Sequence, residues 1–400
     1  MNTQIITTQL SAAAEILRHG GLVAVPTETV YGLAANGMDP AAVARIYQVK
    51  GRPEAKPLSL MVRDASAMAR CCVDVPQAAY ALADRFWPGP LTIVLRAGDA
   101  VPELVRAGGE TVGLRGPDHP VTLELLRLAG TPLAAPSANP SGEPSPGTAD
   151  EVLRYFNGRI DAVIDGGACA LGRESTVADL SQTPYRILRV GALPETEIWD
   201  ALARRLRVIG ITGGTGCGKT TALQALAARG ARIIDCDAVY HDLLQTSAPM
   251  LREIDARFPG VVENGALRRK KLGAVVFGDA AALADLSAIT HRYVRAAVDA
   301  LLRDWARQGG TLAAIDAIAL IESGVSDRCQ TVIGVVAPRE ARIRRLMARE
   351  SISREYAAAR IDAQKPNEWF AAHCDRVLDN SGTLEAFQEL CHQTIQEVLQ

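Results

Sequence analysis

Short apolar runs alternate with helix-forming segments along the first half of the chain. Strands are predicted where apolar, often β-branched residues cluster between turn residues, and helices where apolar residues recur every three or four positions. The clearest strands are 22–25, 91–95 and 111–115, and the clearest helices are 11–19 and 40–49. This alternation predicts an α/β domain but leaves the order of its strands open.

The second half repeats the alternation with a strand, a turn, a helix and another strand. Its elements are predicted at 208–212, 219–229, 232–237, 311–316, 331–336 and 339–350. The first three form a βαβ unit, which indicates a parallel sheet. A short helical pattern at 195–206 precedes this unit without a linker. We therefore expect two domains, 1–206 and 207–400.

Composition indicates the class of protein but says little about its function. The chain of 400 residues is 48% apolar and 22% charged with a net charge of −2, which is typical of a globular protein of two or three domains. It has no apolar run long enough for a membrane span and no signal-like N-terminus. Eight scattered cysteines without a C-x-x-C pair indicate a reducing cytoplasm. Neither half has the basic surplus expected for stable nucleic-acid binding.

The glycine-rich turn at 213–220 carries the strongest chemical signal. It matches G-x-x-x-x-G-K-[ST] between a predicted strand and a predicted helix. Glycines allow backbone N–H groups to surround an anion, and the next helix N-terminus adds positive potential. Lys219 is expected to reach the β- and γ-phosphates of ATP, and the Thr220 hydroxyl to hold Mg²⁺. The residues expected to bind ATP are Gly213, Gly214, Thr215, Gly216, Cys217, Gly218, Lys219, Thr220 and Thr221.

Two aspartates and an arginine-rich helix extend this hypothesis. Asp235 and Asp237 stand at the carboxyl end of a predicted strand, where α/β sheets bind ligands. One can accept a hydroxyl proton and the other, Asp235, can steer Mg²⁺ through water, although a helix N-cap is the alternative for Asp237. Arg342, Arg345 and Arg349 share a helical face, which suits either a lid over phosphates or a solvated surface.

Two further features have both a structural and a functional interpretation. The basic cluster at 265–272 is either a solvated helix face or a contact for an anionic substrate. His291 lies in a predicted helix, and we interpret it as structural because a lone histidine more often is.

Six motifs occur in order over about 207–397: G-G-T-G-C-G-K-T, I-D-C-D, G-A-L-R-R-K-K-L, D-A-I-A-L-I-E, A-R-I-D-A-Q and C-D-R-V-L-D-N-S-G. With these motifs the segment resembles dephospho-CoA kinases. The resemblance implies a P-loop kinase, with a parallel sheet, flanking helices and a lid, that transfers the ATP γ-phosphate to the 3′-hydroxyl of dephospho-CoA. It also implies that Asp237 is the base, that Lys219 acts on ATP, and that Arg345 and Arg349 are lid cations.

Three positions depart from the pattern of that family. The usual proline of its D-x-P-L-[LF] segment is Ala319 or Ala317 here, and Arg292 follows the histidine in place of a proline. Glu350 stands where an aspartate commonly follows the lid arginine. None of these removes a phosphate-handling group, so we expect an active domain with altered substrate-side detail.

Polar side chains follow several strands of the first half. Thr27 lies just beyond the strand at 22–25, and Thr111 and Arg115 share one face of another strand. Lys50 and Arg52 would project to the same side of an extended segment, about 7 Å apart, and could grip a polyphosphate or a carboxylate. A solvated loop is the alternative. The half has no Walker-type loop, so a nucleotide there would need side-chain cations and hydroxyls.

The motifs P-T-E-T-V-Y-G-L, K-G-R-P, F-W-P-G-P-L-T, A-P-S-A-N and E-S-T-V run through residues 5–195, which resemble the threonylcarbamoyl-AMP synthase (YrdC-like) family. The resemblance implies a curved α/β domain that condenses L-threonine, bicarbonate and ATP into threonylcarbamoyl-adenylate and pyrophosphate. The implied ATP contacts are Lys50, Arg52, Ser137, Asn139, Ser145 and Arg189. The implied threonine contacts are Thr27, Arg115 and Ser175, with Thr111 close to both. Some members have a histidine where this chain has Leu60 and Met61.

Together the two resemblances imply a bifunctional enzyme that uses ATP and Mg²⁺ in both halves. Its products would serve tRNA modification and CoA synthesis, with the tRNA threonylcarbamoyl-transfer machinery as a possible downstream partner. An N-terminal RNA-binding module fused to a different small-molecule P-loop kinase is the alternative.

Overall fold

The computed structural model describes residues 2–400, which fold into two compact units. The first contains the chain up to Arg204 together with Arg307–Gly309, and the second contains Arg205–Ala306 and Gly310–Gln400. Both are α/β structures, which confirms the fold class predicted from the alternating pattern.

The first unit is built on a mixed sheet of ten strands. The strands are β1 (Gln4–Ile6), β2 (Val23–Val25), β3 (Gly32–Asn36), β4 (Ser59–Met61), β5 (Leu91–Arg96), β6 (Thr111–Arg115), β7 (Leu133–Ala134), β8 (Ala162–Ile164), β9 (Thr176–Asp179) and β10 (Arg186–Arg189). Their order across the sheet is β1-β8-β2-β3-β7-β4-β6-β5-β9-β10. The sequence pattern could not predict this order, because the pairings join segments far apart in the chain.

Eight helices accompany these strands. They are α1 (Leu10–Arg18), α2 (Pro40–Lys50), α3 (Ser66–Cys71), α4 (Gln77–Phe86), α5 (Glu103–Arg106), α6 (Pro120–Ala129), α7 (Ala149–Phe156) and α8 (Glu195–Ala203). Leu17 of α1 and Leu125 of α6 are fully buried in one apolar cluster with Val23 and Val25 of β2. The helices therefore provide the apolar layer that the short strands require.

Strand register places the predicted residue Arg115 beside side chains of a neighbouring strand. Parallel pairing of β4 with β6 places Ser59 beside Gly113 and Met61 beside Arg115. Because side chains alternate between the faces of a strand, Ser59, Met61 and Arg115 point to the same side of the sheet.

The expectation that Lys50 and Arg52 extend from one side of an extended segment is wrong. Lys50 is the last residue of α2, and Gly51 follows in the left-handed conformation with φ of 60°. A glycine at this position ends the helix, as glycine commonly does. The Lys50 ammonium donates to the carbonyls of Ser137 and Asn139, whereas Arg52 donates to those of Lys56 and Pro57.

The second unit contains a parallel sheet of five strands in the order β12-β15-β11-β16-β17, and a separate two-stranded ribbon of β13 and β14. The strands are β11 (Arg207–Thr212), β12 (Arg232–Asp235), β13 (Val262–Glu263), β14 (Ala266–Leu267), β15 (Leu312–Asp316), β16 (Thr331–Val336) and β17 (Arg376–Asp379). The helices are α9 (Lys219–Ala227), α10 (Cys236–Thr246), α11 (Ala248–Arg257), α12 (Arg269–Val276), α13 (Ala280–Arg307), α14 (Arg339–Glu350), α15 (Arg354–Asp362), α16 (Asn367–His373) and α17 (Leu384–Leu399).

The centre of this sheet positions the glycine-rich turn. Strand β11 pairs in parallel with β15 on one side and with β16 on the other. The turn leaves the carboxyl end of β11 and enters α9 at Lys219. Ligands of open α/β sheets bind at this edge.

One boundary differs from the prediction in a way that affects the site. Strand β12 ends at Asp235, and Asp237 lies in the first turn of α10. The carboxylate of Asp235 accepts the N–H groups of Asp237 and Ala238, so Asp235 is the N-cap. The prediction of a strand reaching 237 is therefore wrong, and Asp237 is not the cap.

Candidate active sites

The first unit contains a cavity of about 170 Å³ whose wall carries three arginines and one carboxylate. The wall comprises Val30, Gly32, Arg52, Pro57, Leu58, Ser59, Met61, Thr92, Arg115, Ala135, Pro136, Ser137, Glu174, Ser175 and Arg189. Five residues predicted from the sequence line it: Arg52, Arg115, Ser137, Ser175 and Arg189. The cavity therefore offers cations and hydroxyls to anionic ligands.

The other five predicted residues of this unit do not form the wall. The hydroxyl of Thr27 donates to the carbonyl of Val30 at 2.6 Å, and Ser145 donates to Glu174 at 3.0 Å. Thr111 begins the strand on which Arg115 lies, four residues away from it. Lys50 and Asn139, the remaining two, belong to one buried network.

That network joins α2 to the loop after β7. The Lys50 ammonium donates to the carbonyls of Ser137 and Asn139, and the Asn139 amide donates to the carbonyl of Glu143 at 2.5 Å. Burial, with a smaller effect from the charge of Arg52, lowers the pKa of Lys50 to about 8. In this structure Lys50 therefore supports the loop that presents Ser137 to the cavity.

Arg115 is held by a buried acidic partner that the sequence interpretation missed. Its Nη2 lies 2.7 Å from Glu28 Oε1 and donates to Thr29 Oγ1 at 2.8 Å. Both side chains of the ion pair are about one-tenth exposed, at 8% and 10%. Glu28 stands in the quoted P-T-E-T-V-Y-G-L motif, and its place there was the one signal in the sequence that pointed to it.

A second missed carboxylate, Glu174, joins two predicted residues. One of its oxygens accepts from Ser145, and the other forms an ion pair with Arg189. Thr92, also missed, forms a hydroxyl pair with Ser175 at 2.9 Å within the cavity wall. Glu174 therefore fixes the Arg189 guanidinium where it meets the cavity.

The second unit has a cavity of about 280 Å³ around the glycine-rich turn. Its wall comprises Gly214, Thr215, Gly216, Gly218, Lys219, Thr220, Asp237, Asp316, Ile318, Arg345, Arg349 and Arg360. The predicted residues Gly213, Cys217, Thr221 and Asp235 lie outside this wall. Gly218 has φ of 103°, and an added Cβ would lie 2.2 Å from the Asn380 amide. Glycine at this position therefore provides both the conformation and the space that the turn needs.

The phosphate-binding lysine has a carboxylate partner. Lys219 Nζ lies 3.0 Å from Asp316 Oδ1, which accepts no hydrogen bond of good geometry. Burial raises the pKa of Asp316, the nearby cation of Lys219 lowers it, and the charges of Asp235 and Asp237 raise it further. Asp316 ends β15, the neighbour of β11, and the sequence interpretation assigned it no role.

The arginines of α14 divide into two kinds. Arg345 donates to the carbonyls of Gly216 and Cys217 and to Asn380, so it fastens the turn as well as lining the cavity. Arg349 lines the cavity and pairs with Glu350 at 2.5 Å.

Arg360 of α15 is a third arginine in this wall, which the sequence interpretation missed as a site residue. Glu350 pairs with Arg360 at 2.5 Å as well as with Arg349, and the bond from Arg349 lowers the pKa of this carboxyl. The departure from aspartate at 350 thus occurs at a residue that holds two arginines beside the phosphate cavity.

A second cavity of about 250 Å³ adjoins the first. It is lined by Cys236, Asp237, Tyr240, Leu286, Ser287, Thr290, His291, Val294, Ala317, Ile318, Ala319 and Ser323. Asp237 and Ile318 lie in the walls of both cavities. Burial, with a smaller effect from Arg295, lowers the pKa of His291, which favours the neutral imidazole. His291 therefore lines a cavity, which its interpretation as structural did not anticipate.

Comparison with known proteins assigns each half to a family. The model of the Sua5/YciO/YrdC family, described as "Telomere recombination", matches residues 15–191, and the dephospho-CoA kinase model matches residues 207–386. A threonylcarbamoyl-AMP synthase of Halorhodospira halophila is 40% identical over 42% of this chain and 87% of its own length. A dephospho-CoA kinase of Geobacter sulfurreducens is 38% identical over 46% of this chain and 94% of its own length. The chain belongs to both families.

Some relatives of the synthase half are longer than the matching segment. A threonylcarbamoyl-AMP synthase of Pyrococcus abyssi is 47% identical over 48% of this chain and 56% of its own length. The chain thus spans about half the length of the first curated relatives that it matches. The recognition of a fusion of the two families from motifs alone is confirmed.

Four of the other positions that depart from the family patterns line cavities or lie on the surface. Met61 is buried in the wall of the synthase-family cavity, and Ala317 and Ala319 line the second kinase-family cavity. Arg292 is exposed and pairs with Glu253. Among residues 2–400, no helix is long and apolar enough to cross a membrane.

Proposed function

We propose that the chain carries two ATP-dependent enzymes. The first unit would be an L-threonylcarbamoyladenylate synthase, which forms threonylcarbamoyl-adenylate and pyrophosphate from L-threonine, bicarbonate and ATP. The second would be a dephospho-CoA kinase, which transfers the ATP γ-phosphate to the 3′-hydroxyl of dephospho-CoA. Membership of the two families supports both activities.

The synthase activity is supported most directly by three arginines that share one cavity, Arg52, Arg115 and Arg189. ATP, bicarbonate and the threonine carboxylate are all anionic, so a site that gathers them needs several cations. Ser137 and Ser175 add hydroxyl donors to the same wall. We assign Arg52, Ser137 and Arg189 to ATP, and Arg115 and Ser175 to threonine.

In the proposed synthase reaction, the threonine amine and bicarbonate condense to a carbamate with loss of water, and this carbamate attacks the α-phosphorus of ATP. A carbamate oxygen forms a bond to phosphorus, and the bond to the leaving pyrophosphate breaks. Arg52 and Arg189 would stabilise the charge that develops on the phosphates. Lys50 would act by holding the loop that presents Ser137, and Glu174 by holding Arg189.

The kinase activity is supported by the position of Asp237 in the walls of two adjoining cavities. One cavity surrounds the glycine-rich turn and suits ATP, and the other suits an acceptor alcohol. Asp237 would accept the proton of the 3′-hydroxyl while that oxygen attacks the γ-phosphorus and the bond to ADP breaks. Lys219, Arg349 and Arg360 would hold the transferred phosphate.

Magnesium would accompany ATP in this kinase. Among residues 2–400, no group of three or more His, Cys, Asp or Glu side chains is placed to hold a metal ion. Mg²⁺ usually needs only one or two protein oxygens beside the phosphates and water. Thr220 and Asp316 line the phosphate cavity and suit this role, whereas one oxygen of Asp235 caps α10. When bound, the ion would neutralise charge on the phosphates.

The proposal extends to location and partners. All eight cysteines are free thiols, which supports residence in a reducing cytoplasm. The threonylcarbamoyl-adenylate product would pass to the tRNA threonylcarbamoyl-transfer machinery.

A paired assay on the whole chain tests both activities. Synthesis is measured as pyrophosphate release that depends on L-threonine and bicarbonate, and the kinase as phosphorylation of dephospho-CoA. Lys219→Ala should lower the kinase rate by about 10²–10³-fold, as loss of a transition-state cation does. It should leave the synthase rate unchanged, and Arg52→Ala should have the opposite effect.

Three results would contradict parts of the proposal. Loss of both activities from one substitution in a folded protein would contradict independent sites. Absence of threonine-dependent pyrophosphate release would favour an RNA-binding first unit. Preference for a nucleoside or another small alcohol over dephospho-CoA would favour a different P-loop kinase.

A further inference from the structure

Thr215, in the glycine-rich turn of the kinase-family unit, is held by two side chains from outside the turn. Its N–H donates to Gln364 Oε1 at 2.8 Å, and its hydroxyl accepts from Gln364 Nε2 at 2.7 Å. Its carbonyl accepts from Arg342 Nε at 2.9 Å. Arg342 Nη2 in turn donates to Gln364 Oε1 at 2.8 Å, which closes a ring of hydrogen bonds. We call these three residues the Thr215 clamp.

Two residues of the clamp are buried, and the turn leaves space for the third, Gln364, which is partly buried. Thr215 is 7% exposed and Arg342 is 4% exposed. A Cβ added to Gly214 would lie 2.1 Å from Arg342 Nη2 and 3.0 Å from Gln364 Oε1. Gly214 has no positive φ that would require glycine. A side chain at 214 would therefore have to displace Arg342 and Gln364.

The clamp also joins the turn to the two helices that carry the lid arginines. Arg342 belongs to α14, and Gln364 follows the end of α15. Arg349 lies seven residues after Arg342, about 10 Å along the helix, and Arg360 lies one turn before Gln364. The clamp thus fixes α14 at Arg342 and the end of α15 at Gln364. Arg349 and Arg360 of the same two helices line the phosphate cavity.

Ion pairs and apolar contacts make these two helices a single body. Arg339 of α14 pairs with Asp362 of α15, and Glu340 of α14 pairs with Arg354 of α15, at 2.7 and 2.5 Å. Their facing side chains form a separate apolar cluster of Ile343, Leu346, Ala357 and Ile361. A displacement of Arg342 or Gln364 would therefore also move Arg349 and Arg360.

We propose that Gln364 and Arg342 are positioning residues for phosphoryl transfer. Their hydrogen bonds to the N–H, carbonyl and hydroxyl of Thr215 fix the conformation of the turn. The other N–H groups of the turn, Arg349 and Arg360 would then be held in place around the same phosphates. Neither Gln364 nor Arg342 lines the phosphate cavity, so both act through Thr215 and the helix pair. The inference rests on the proposed kinase activity.

Two substitutions at Gln364 separate the effect of its hydrogen bonds from the effect of its side-chain volume. Gln364→Leu keeps the approximate volume and removes every hydrogen bond of the side chain. Gln364→Glu keeps oxygens that can accept from Thr215 N–H and Arg342, and the Thr215 hydroxyl can rotate to donate. We expect Gln364→Leu to lower kcat/KM for ATP by about 10²-fold, because small misplacements in phosphoryl transfer cost that much. Gln364→Glu should restore it to within about 3-fold.

Asn367 provides a matched control. Asn367 lies three residues after Gln364, and its amide donates to the Ala337 carbonyl at 3.0 Å instead of to Thr215. Asn367→Ala also removes a hydrogen bond of a side-chain amide. It should therefore lower stability about as much as Gln364→Leu does, and it should leave kcat/KM for ATP unchanged. An equal loss of kcat/KM in Gln364→Leu and Asn367→Ala would overturn the proposal.

Hydrogen exchange separates failure of this inference from failure of the kinase assignment. The Thr215 amide should exchange faster in Gln364→Leu than in the wild type, whatever acceptor the enzyme uses. Unchanged exchange and unchanged kcat/KM for ATP would each refute the clamp, whereas a wild type inactive on dephospho-CoA would refute only the proposed acceptor.

Thr215→Val is the second variant, to be used if Gln364→Leu does not fold. It removes the hydrogen bond between the Thr215 hydroxyl and Gln364 Nε2. It should lower kcat/KM for ATP several-fold, as loss of one hydrogen bond does, and no change would count against the clamp.

Discussion

Lys219 and Asp316 form an ion pair across the phosphate cavity of the kinase-family unit, with Nζ 3.0 Å from Oδ1. The pair joins the start of α9 to the end of β15, two elements separated by almost a hundred residues of sequence. Without a nucleotide, each group neutralises a neighbour that would otherwise be an isolated charge in a half-buried site. Phosphates that bind Lys219 would release Asp316 to interact with their cation.

This relationship distinguishes two candidate aspartates for Mg²⁺. Asp316→Asn should raise the Mg²⁺ concentration needed for half-maximal kinase rate by about 10-fold or more, because carboxylates are stronger Mg²⁺ ligands than amides. Asp235→Asn should change it little, because an asparagine also caps a helix. Electron paramagnetic resonance titration of Mn²⁺ into the ATP complex would report the affinity independently of turnover. A larger effect from Asp235 than from Asp316 would restore the assignment predicted from the sequence.

Asp237→Asn tests the general base. An amide cannot accept the hydroxyl proton, so kcat of the kinase should fall by about 10²–10⁴-fold. KM for ATP should change little, because Lys219 and the turn remain intact. Asp242→Asn changes an exposed carboxylate on the same helix and should leave kcat unaltered. A kcat near that of the wild type for Asp237→Asn would exclude its role as the base.

Much of this architecture was predictable from the sequence, because local patterns and motifs carry the necessary information. Gly213 to Thr220 and the strand before them identify a P-loop by spacing alone. The Lys219–Asp316 pair was not predictable, because it depends on the pairing of β11 with β15. The sequence contains no local signal for a pairing over such a distance.

The role of a site residue was harder to predict than its presence near the site. Lys50 and Arg345 were expected to face nucleotides, and the structure shows both donating to backbone carbonyls beside their cavities. A motif shows that a cation is needed near a site, but not whether it contacts the ligand or the loop that holds the ligand. Glu28 and Glu174 were missed for a related reason: carboxylates are unexpected in anion sites until their arginine partners are visible.

Glu28→Gln tests the buried partner of Arg115. The substitution removes the charge that orients the guanidinium but keeps an acceptor for the N–H of Asp118, which donates to Glu28 Oε2 at 3.0 Å. We expect KM for L-threonine to rise by about 10-fold or more, as loss of a hydrogen bond to a charged group does. KM for ATP should stay the same. Glu124→Gln, which breaks an exposed pair with Arg127, should alter neither value.

The thermal midpoint of each variant provides the control for folding. Glutamine leaves the buried charge of Arg115 without its opposite charge, so Glu28→Gln should lower the midpoint. A lowered midpoint with an unchanged KM for L-threonine would mean that Glu28 stabilises the fold without orienting Arg115 for the substrate.

The low pKa of Lys50 predicts a pH dependence confined to the synthase. Burial lowers this pKa from the usual lysine value to about 8, so the ammonium is fully charged below pH 7 and loses its proton as pH rises through 8. The ammonium donates to the carbonyls of Ser137 and Asn139, so loss of its proton would weaken its hold on the loop that presents Ser137 to the cavity. The synthase kcat/KM for ATP, which reports the free enzyme, should therefore fall with a midpoint near pH 8. The kinase of the same molecule should lack this step.

The substitution Lys50→Met identifies the titrating group. It removes the charge at every pH, so the variant should have a low synthase kcat/KM for ATP at pH 7 and no further fall near pH 8. The linked effect on stability has the opposite sign. Because the unfolded chain binds more protons than the folded one between about pH 8 and the ordinary lysine pKa, the stability of the wild type relative to Lys50→Met should rise across that interval. A step near pH 8 that persists in Lys50→Met would assign the titration to another group.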